Sequence, residues 1–221
     1  MEFQKTGLEQ ETLTNKLINQ MREDILCQRI PAGSHISVKE ISERYNVSNM
    51  PVREALFALA SERLIEMSPY KGARVLSVDK NFIVDLYEFV GAIEVLLVES
   101  ALPYITEADI ERLRETNAMI GAVGDTDFGR QEYLRLNQIF HYTIYDKSPN
   151  SFARDQYEHY HQFIRVLWKR YKKTADRIRQ VYQEHLDLIK TIEERDVDTM
   201  RNAIWQHVHH AKDNFLQQYD S

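Results

Sequence analysis

At 221 residues and 26.1 kDa the chain is long enough for one large domain or two small ones, since domains typically hold about 100 to 150 residues. Hydrophobic residues at 43% and charged residues at 28% exclude wholesale disorder, and a single cysteine, Cys27, excludes an internal disulfide or a cysteine zinc cluster. The net charge of -6 is unevenly placed: up to Val78 ten Lys and Arg balance ten Asp and Glu, whereas beyond it 18 face 24, so an anionic polymer can dock only on the neutral N-terminal part.

Leu13, Leu17, Ile18, Met21, Ile25 and Leu26 share one helical stripe, which predicts an amphipathic helix from Thr12 to about Gln28, stopped near Pro31-Ala32-Gly33. Ser37-Val38-Lys39-Glu40 is a capping box that opens a short helix to Tyr45, and Asn46 suits a left-handed exit. Ser48 is placed to cap a third helix whose first turn tolerates Pro51, with Val52, Ala55, Leu56, Leu59 and Ala60 as its buried stripe. Leu64 to Met67 and Ala73 to Val78 then flank Ser68-Pro69-Tyr70-Lys71-Gly72, the composition of a hairpin.

From Asp79 onward the periodicity is helical throughout. Helices are expected from Asp79 to about Leu102, from Thr106 to Gly121–Gly124, from Asp127 to Asp146, from Ser151 to Tyr171, from Thr174 to Glu194 and from Asp196 to Tyr219. The expected fold is mainly α, with a small head of three helices and a hairpin over residues 1–78 and an all-helical bundle over 79–221. No apolar run approaches the roughly 20 residues that span a bilayer, and the first ten residues lack the apolar core of a signal peptide. A cytoplasmic protein without membrane contact is therefore expected.

Two short helices joined by a tight turn form a helix-turn-helix, whose second helix can enter the major groove of a duplex. Asn49, Met50 and Arg53 lie opposite the buried stripe of that helix. Arginine pairs bidentately with guanine and asparagine with adenine. Lys39, Lys71 and Arg74 are candidates for the phosphate backbone, and Gly72 allows the hairpin tip to approach the minor groove closely. Phe57 falls on the same outward side and receives no role.

The stretch Val47-Ser48-Asn49-Met50-Pro51-Val52-Arg53-Glu54-Ala55-Leu56, with Leu59, Leu64 to Glu66 and Gly72-Ala73-Arg74-Val75, resembles the winged helix-turn-helix signature of the GntR family of bacterial transcription regulators. The resemblance covers about Thr12 to Val78. It implies DNA contacts from Lys39, Ser48, Asn49, Arg53 and the wing around Gly72. Asn49 stands where the family usually has arginine, which bears on the operator sequence.

In the C-terminal part three histidines fall on the inward stripes of three helices: His141 with Leu134 and Ile144, His185 with Ile178, Val181 and Ile189, and His207 with Ala203 and Ile204. Brought together they offer three nitrogens to a divalent ion such as zinc or nickel; taken singly, a histidine on an apolar stripe is more often a hydrogen-bonded core residue than a ligand. Asn137, one turn before His141, can add an amide oxygen, and Glu184 either accepts a hydrogen bond behind a histidine or faces solvent. His35, His159, His161, His209 and His210 show no consistent facing pattern. A rival reading is a metallohydrolase that activates water at His141, His185 and His207, with Glu184 as the base.

Asn137-Gln138-Ile139-Phe140-His141, Ser148-Pro149-Asn150, Glu184-His185, and Asp196 with His207 resemble the FCD effector domain of the FadR-like branch of the same family. That resemblance implies an all-helical bundle that holds a divalent metal through an acidic residue and three histidines, binds a small organic acid nearby and pairs subunits into a homodimer. His141, His185 and His207 inherit the ligand role, while Asn137 replaces the acidic ligand. Val90, one turn before Glu94, stands where the branch often carries arginine. The expected function is that of a dimeric, ligand-responsive regulator, not an enzyme, that binds a pseudo-palindromic stretch of double-stranded DNA.

Overall fold

In the computed structural model, which describes residues 12–68, 72–168 and 174–219, hydroxyl side chains cap five of the helix starts. Thr12 accepts from the Asn15 amide at the head of α1 (Leu13–Leu26). Ser37 and Glu40 satisfy each other's backbone donors at the start of α2 (Val38–Tyr45), at 3.2 and 2.8 Å, and Asn46 ends it at φ +52°.

The expected cap at α3 (Asn49–Ser61) does not form. Ser48 has the extended backbone of a cap, but its side chain makes no capping hydrogen bond. The physical reason lies three residues on, where a serine cap would find an amide donor and where Pro51 has none. The Ser48 hydroxyl is thereby left at the exposed start of the helix.

Two compact units make up the chain, Met1–Asp79 and Lys80–Ser221. In the first, Leu17, Met21, Ile25 and Leu26 of α1 close with Ile41 of α2 and with Val52, Ala55, Leu56 and Leu59 of α3 over a small antiparallel sheet. Its strands are β1 (His35–Ile36), β2 (Ile65–Ser68) and β3 (Gly72–Val75), in the order β1-β3-β2. Strand β1 adds to the expected hairpin; two residues are too few to show the alternation by which a strand is read. Its register sets Ile36 opposite Ala73, and Gly72 sits beside that pair at φ +91°. A Cβ at Gly72 would lie 2.3 Å from the Ile36 carbonyl oxygen, so the wing sheet itself demands this glycine.

Buried charge fixes α1 to its neighbours. Arg22 forks onto Glu62 with Nε–Oε2 and Nη2–Oε1 distances of 2.8 and 2.6 Å, both side chains being about nine-tenths buried. Asp24 accepts from Gln20, Arg29, Arg44 and Tyr45, which ties α1 to α2. Burial raises the Asp24 carboxyl, but the Tyr45, Arg29 and Gln20 donors outweigh it and leave the group below its usual value.

The second unit is helical: α4 (Lys80–Ala101), a 3-10 turn at Leu102–Tyr104, α5 (Glu107–Gly121), α6 (Asp127–Tyr145), α7 (Ser151–Trp168), α8 (Ala175–Glu194) and α9 (Val197–Tyr219). The end expected for α7 at Tyr171 lies outside the described residues. Helix α4 packs against α6, α7 and α9, and buries Ile83, Leu86, Tyr87, Val90, Leu97 and Val98. Gly91 lets α9 approach, since a Cβ there would meet Val208 at 3.0 Å and Trp205 at 3.4 Å. Helix α5 lies behind, on α6 and α8. Among the described residues no helix is long and apolar enough to cross a membrane.

Removing one member of a buried ion pair strands the other, which costs about 3 to 5 kcal/mol. Glu62→Ala is expected to lower the stability of the first unit by about 3 kcal/mol, read as a lower urea midpoint, whereas Glu54→Ala at an exposed position should stay within about 0.5 kcal/mol. Equal midpoints for the two variants would contradict the role assigned to the Arg22 fork.

Candidate functional site

The outward face of α3 presents Asn49, Met50, Arg53 and Phe57, with Met50 72% and Phe57 64% exposed, while its opposite face is fully buried. Arg53 has no ion-pair or hydrogen-bond partner among the described residues, and the neighbouring Glu54 is engaged instead by Thr14 at 2.9 Å. Lys39 is exposed at the start of α2, 3.9 Å from Glu43, a separation that contributes little in water. Arg74 is exposed on β3. Lys71 lies outside the described residues. The outward face thus combines a fork of donors at Arg53, an amide at Asn49 and an apolar end at Phe57, a set suited to base edges and thymine methyl groups.

In the bundle His141 of α6, His185 of α8 and His207 of α9 come together, all buried, with one ligand nitrogen from each lying within 4.8 Å of the others. The ring centroids form a near-equilateral triangle: 5.2 Å between His141 and His185, and 5.1 Å for each of the other two pairs. Each Nδ1 is held by a different group. His141 Nδ1 is 3.1 Å from the Tyr145 hydroxyl, His185 Nδ1 is 3.2 Å from Asn117 Oδ1, and His207 Nδ1 is 2.6 Å from Glu184 Oε2.

The Asn117 contact settles the His185 tautomer. Asn117 donates its amide nitrogen to the Tyr182 carbonyl at 3.0 Å, which leaves its oxygen for His185 and places the ring proton on Nδ1. The lone pair is then on Nε2, a fully buried atom without a hydrogen-bond partner. Burial, reinforced by His207, His141 and Arg177, holds the His185 imidazole well below its usual pKa and therefore neutral. Phe140 stacks on the ring at 3.7 Å and 1°, which fixes its plane. An orphaned buried lone pair beside two further imidazoles fits a divalent metal, which needs neutral nitrogen donors.

Glu184 is the acceptor behind the site. It receives the Arg177 guanidinium at 2.6 and 3.1 Å, His207 on one oxygen and His210 on the other at 2.7 Å. Burial works to raise this carboxyl, but the His207 and Arg177 hydrogen bonds outweigh it and bring it down to about 2. A carboxylate so stabilised is a poor proton acceptor near neutral pH, which removes the general base that the hydrolase reading needs. Asn117 and His210 carry no sequence signal beyond residue type, because each acts across helices, whereas Tyr145 and Arg177 stand one and two turns from His141 and Glu184 on the same helices.

A cavity of about 410 Å³ opens beside the histidines, lined from α4, α6, α7, α8 and α9. Asn137 lines it one turn before His141, with its Oδ1 3.4 Å from the Tyr133 hydroxyl, so the amide shares the cavity with His141 and His207. Leu134, expected on the inward stripe of α6, lines the cavity but is half exposed.

Comparison with known proteins places this geometry. The HTH-type transcriptional repressor RspR of Escherichia coli K12 is 27% identical over 208 residues, covering 89% of this chain and 86% of that protein. The Nta operon transcriptional regulator of Aminobacter aminovorans is 27% identical over 187 residues, covering 84% and 86%. The solved structure of E. coli McbR/YncC superposes with a TM-score of 0.65 at 20% identity, over 94% of this chain and 99% of that one, which speaks for the fold. Residues 13–75 match the bacterial regulatory proteins of the gntR family and residues 85–210 match the FCD domain. With an exposed reading helix in its first unit and an FCD domain over more than half its length, the chain belongs to the GntR family of DNA-binding transcription regulators.

Proposed function

We propose that this regulator reads a two-fold operator through paired α3 helices and responds to a small organic acid held, together with a divalent metal, in the cavity of the second unit. The observation that carries the sensor half is the convergence of three buried imidazoles whose Nδ1 atoms are already engaged. His141, His185 and His207 would hold zinc or nickel, and the Asn137 amide stands on the same cavity wall as a weaker oxygen donor. When bound, the ion supplies a Lewis-acid anchor for an oxygen of the small molecule. Glu184, Asn117 and Tyr145 orient the rings, and Arg177 keeps Glu184 ionised.

In the DNA-reading half, Arg53 and Asn49 face base edges, Met50 lies beside them, and the unspent Ser48 hydroxyl with Lys39 and Arg74 serves phosphates. The wing at Gly72 follows the duplex. A second copy of the chain has a surface to dock on: Phe89 and Leu96 of α4, with Phe152 and Tyr160 of α7, leave an apolar strip in which Phe89 and Tyr160 meet edge to face at 4.9 Å. Two copies related by a two-fold axis present two α3 helices to a pseudo-palindrome. A small molecule that favours one arrangement of the copies changes operator affinity, and the operator changes its affinity by the same factor.

Three measurements test this reading. Zinc added to chelator-treated protein should raise the melting temperature, with a stabilisation of about 2.7 kcal/mol at a hundredfold excess over Kd, and His185→Ala should remove the rise; an equal rise in both proteins would refute the histidine site. In mobility shifts, Arg53→Ala should bind operator and scrambled duplex alike, while Lys39→Ala should weaken both and reduce the salt slope by about 0.9; an Arg53→Ala protein that still prefers the operator overturns the base-reading role. Sedimentation should give twice the 26.1 kDa chain mass, shifting to one chain in Leu96→Glu.

A further inference from the structure

The cavity carries an acid that the metal site does not use. Glu94 of α4 is 6% exposed and lines the cavity, and its Oε2 has no hydrogen-bond partner. The hydroxyls of Tyr145 and Tyr157 lie against the carboxyl, and Tyr87 is close enough to feel its charge. Tyr87 in turn accepts the Trp168 indole N–H at 2.7 Å, which joins the two rings into one wall.

The cations of the cavity are committed elsewhere. Arg177 is forked onto Glu184, Arg165 reaches Glu158 at 2.7 Å, and Arg135 is held by Glu132 at 2.6 and 2.9 Å. Among the described residues lining the cavity, each guanidinium therefore already holds a carboxylate, Arg177 keeping only its Nε unmet, and the carboxyl left with an unmet oxygen is Glu94. Once ionised, a buried carboxyl oxygen of this kind calls for a donor, and the faces of Tyr87, Tyr157 and Trp168 attract a cation.

We infer that the small molecule bound in this cavity carries a protonated amine, seated on Glu94 and enclosed by Tyr87, Tyr157 and Trp168. This rests on the cavity being a small-molecule site, as proposed above, and it narrows the ligand from an organic acid to an amino acid-like zwitterion whose carboxylate faces the histidines. Burial raises the Glu94 carboxyl to about 8 against the Tyr145 and Tyr157 hydrogen bonds, and an ammonium group beside it would restore its charge. A pairing of this kind is the arrangement in which a buried charge is tolerated.

The test is a matched series of probes, 5-aminopentanoate, pentylamine and pentanoate, titrated by calorimetry into the full-length chelator-treated protein in phosphate buffer. Both amine-bearing probes should bind at least about tenfold more tightly than pentanoate. Glu94→Gln, which keeps the shape and removes the charge, should weaken the two amines by about tenfold or more and leave pentanoate unchanged. Pentanoate binding as tightly as the amines overturns the assignment while leaving a small-molecule site intact, as does an undiminished amine affinity in Glu94→Gln. Failure of all three probes also overturns it, and the zinc and DNA measurements then stand or fall independently. The comparison of probes on the wild-type protein does not depend on any variant folding.

Discussion

Each of the three imidazoles inside the bundle has its Nδ1 engaged by a neighbouring group, and that constraint decides what the other nitrogen can do. A histidine hydrogen-bonded through both nitrogens is a structural residue. One bound through Nδ1 to an amide oxygen that is itself fixed, as His185 is by Asn117 and the Tyr182 carbonyl, has a lone pair with nowhere to go but the space it shares with His141 and His207. The cost of leaving that lone pair unmet in a dry interior is of the order of 1 to 3 kcal/mol, and it is tolerated where a ligand satisfies it. The same arithmetic applies to Glu94, whose unmet Oε2 belongs to a cavity-lining residue.

Polar groups do opposite work in the two units. In the first, Arg22, Glu62 and Asp24 are buried and fully satisfied, so they lock α1 against α2 and α3 and add rigidity. That rigidity lets the outward face of α3 remain unengaged, with Arg53 unpaired among the described residues and the Ser48 hydroxyl unspent because Pro51 offers it no amide. In the second unit the ion pair of Arg177 with Glu184 positions His207, and unmet atoms of Glu94 and Arg177 belong to residues that line the cavity. Stability and recognition are divided between paired and unpaired polar groups within each unit.

Glu184 illustrates how environment overrides residue type. Beside a histidine triad a carboxylate reads as a catalytic base, yet His207 and Arg177 bring it down to about 2 against its burial, and with His210 they commit both oxygens. It orients an imidazole and is a poor proton acceptor, in keeping with relatives that are regulators of transcription.

Much of this was legible in the sequence, and for reasons that can be named. Periodicity of 3.6 gave the helices, hydroxyl caps and glycine or proline gave their ends, and the signature around Pro51 gave the reading helix, because each of these is a local property of consecutive residues. His141, His185 and His207 were found by their inward stripes alone. What lay beyond reach depended on atoms distant in the chain: the two-residue β1, whose strand character comes from β3; the glycine at 72, required by the Ile36 carbonyl; and Asn117 and His210, which matter through partners on other helices of the bundle. The sequence by itself determined which elements form and which faces they bury. Only the tertiary structure decided which nitrogen of each histidine is engaged and which carboxyl is left unmet, since a hydrogen bond between helices depends on distance and direction in space rather than on position along the chain.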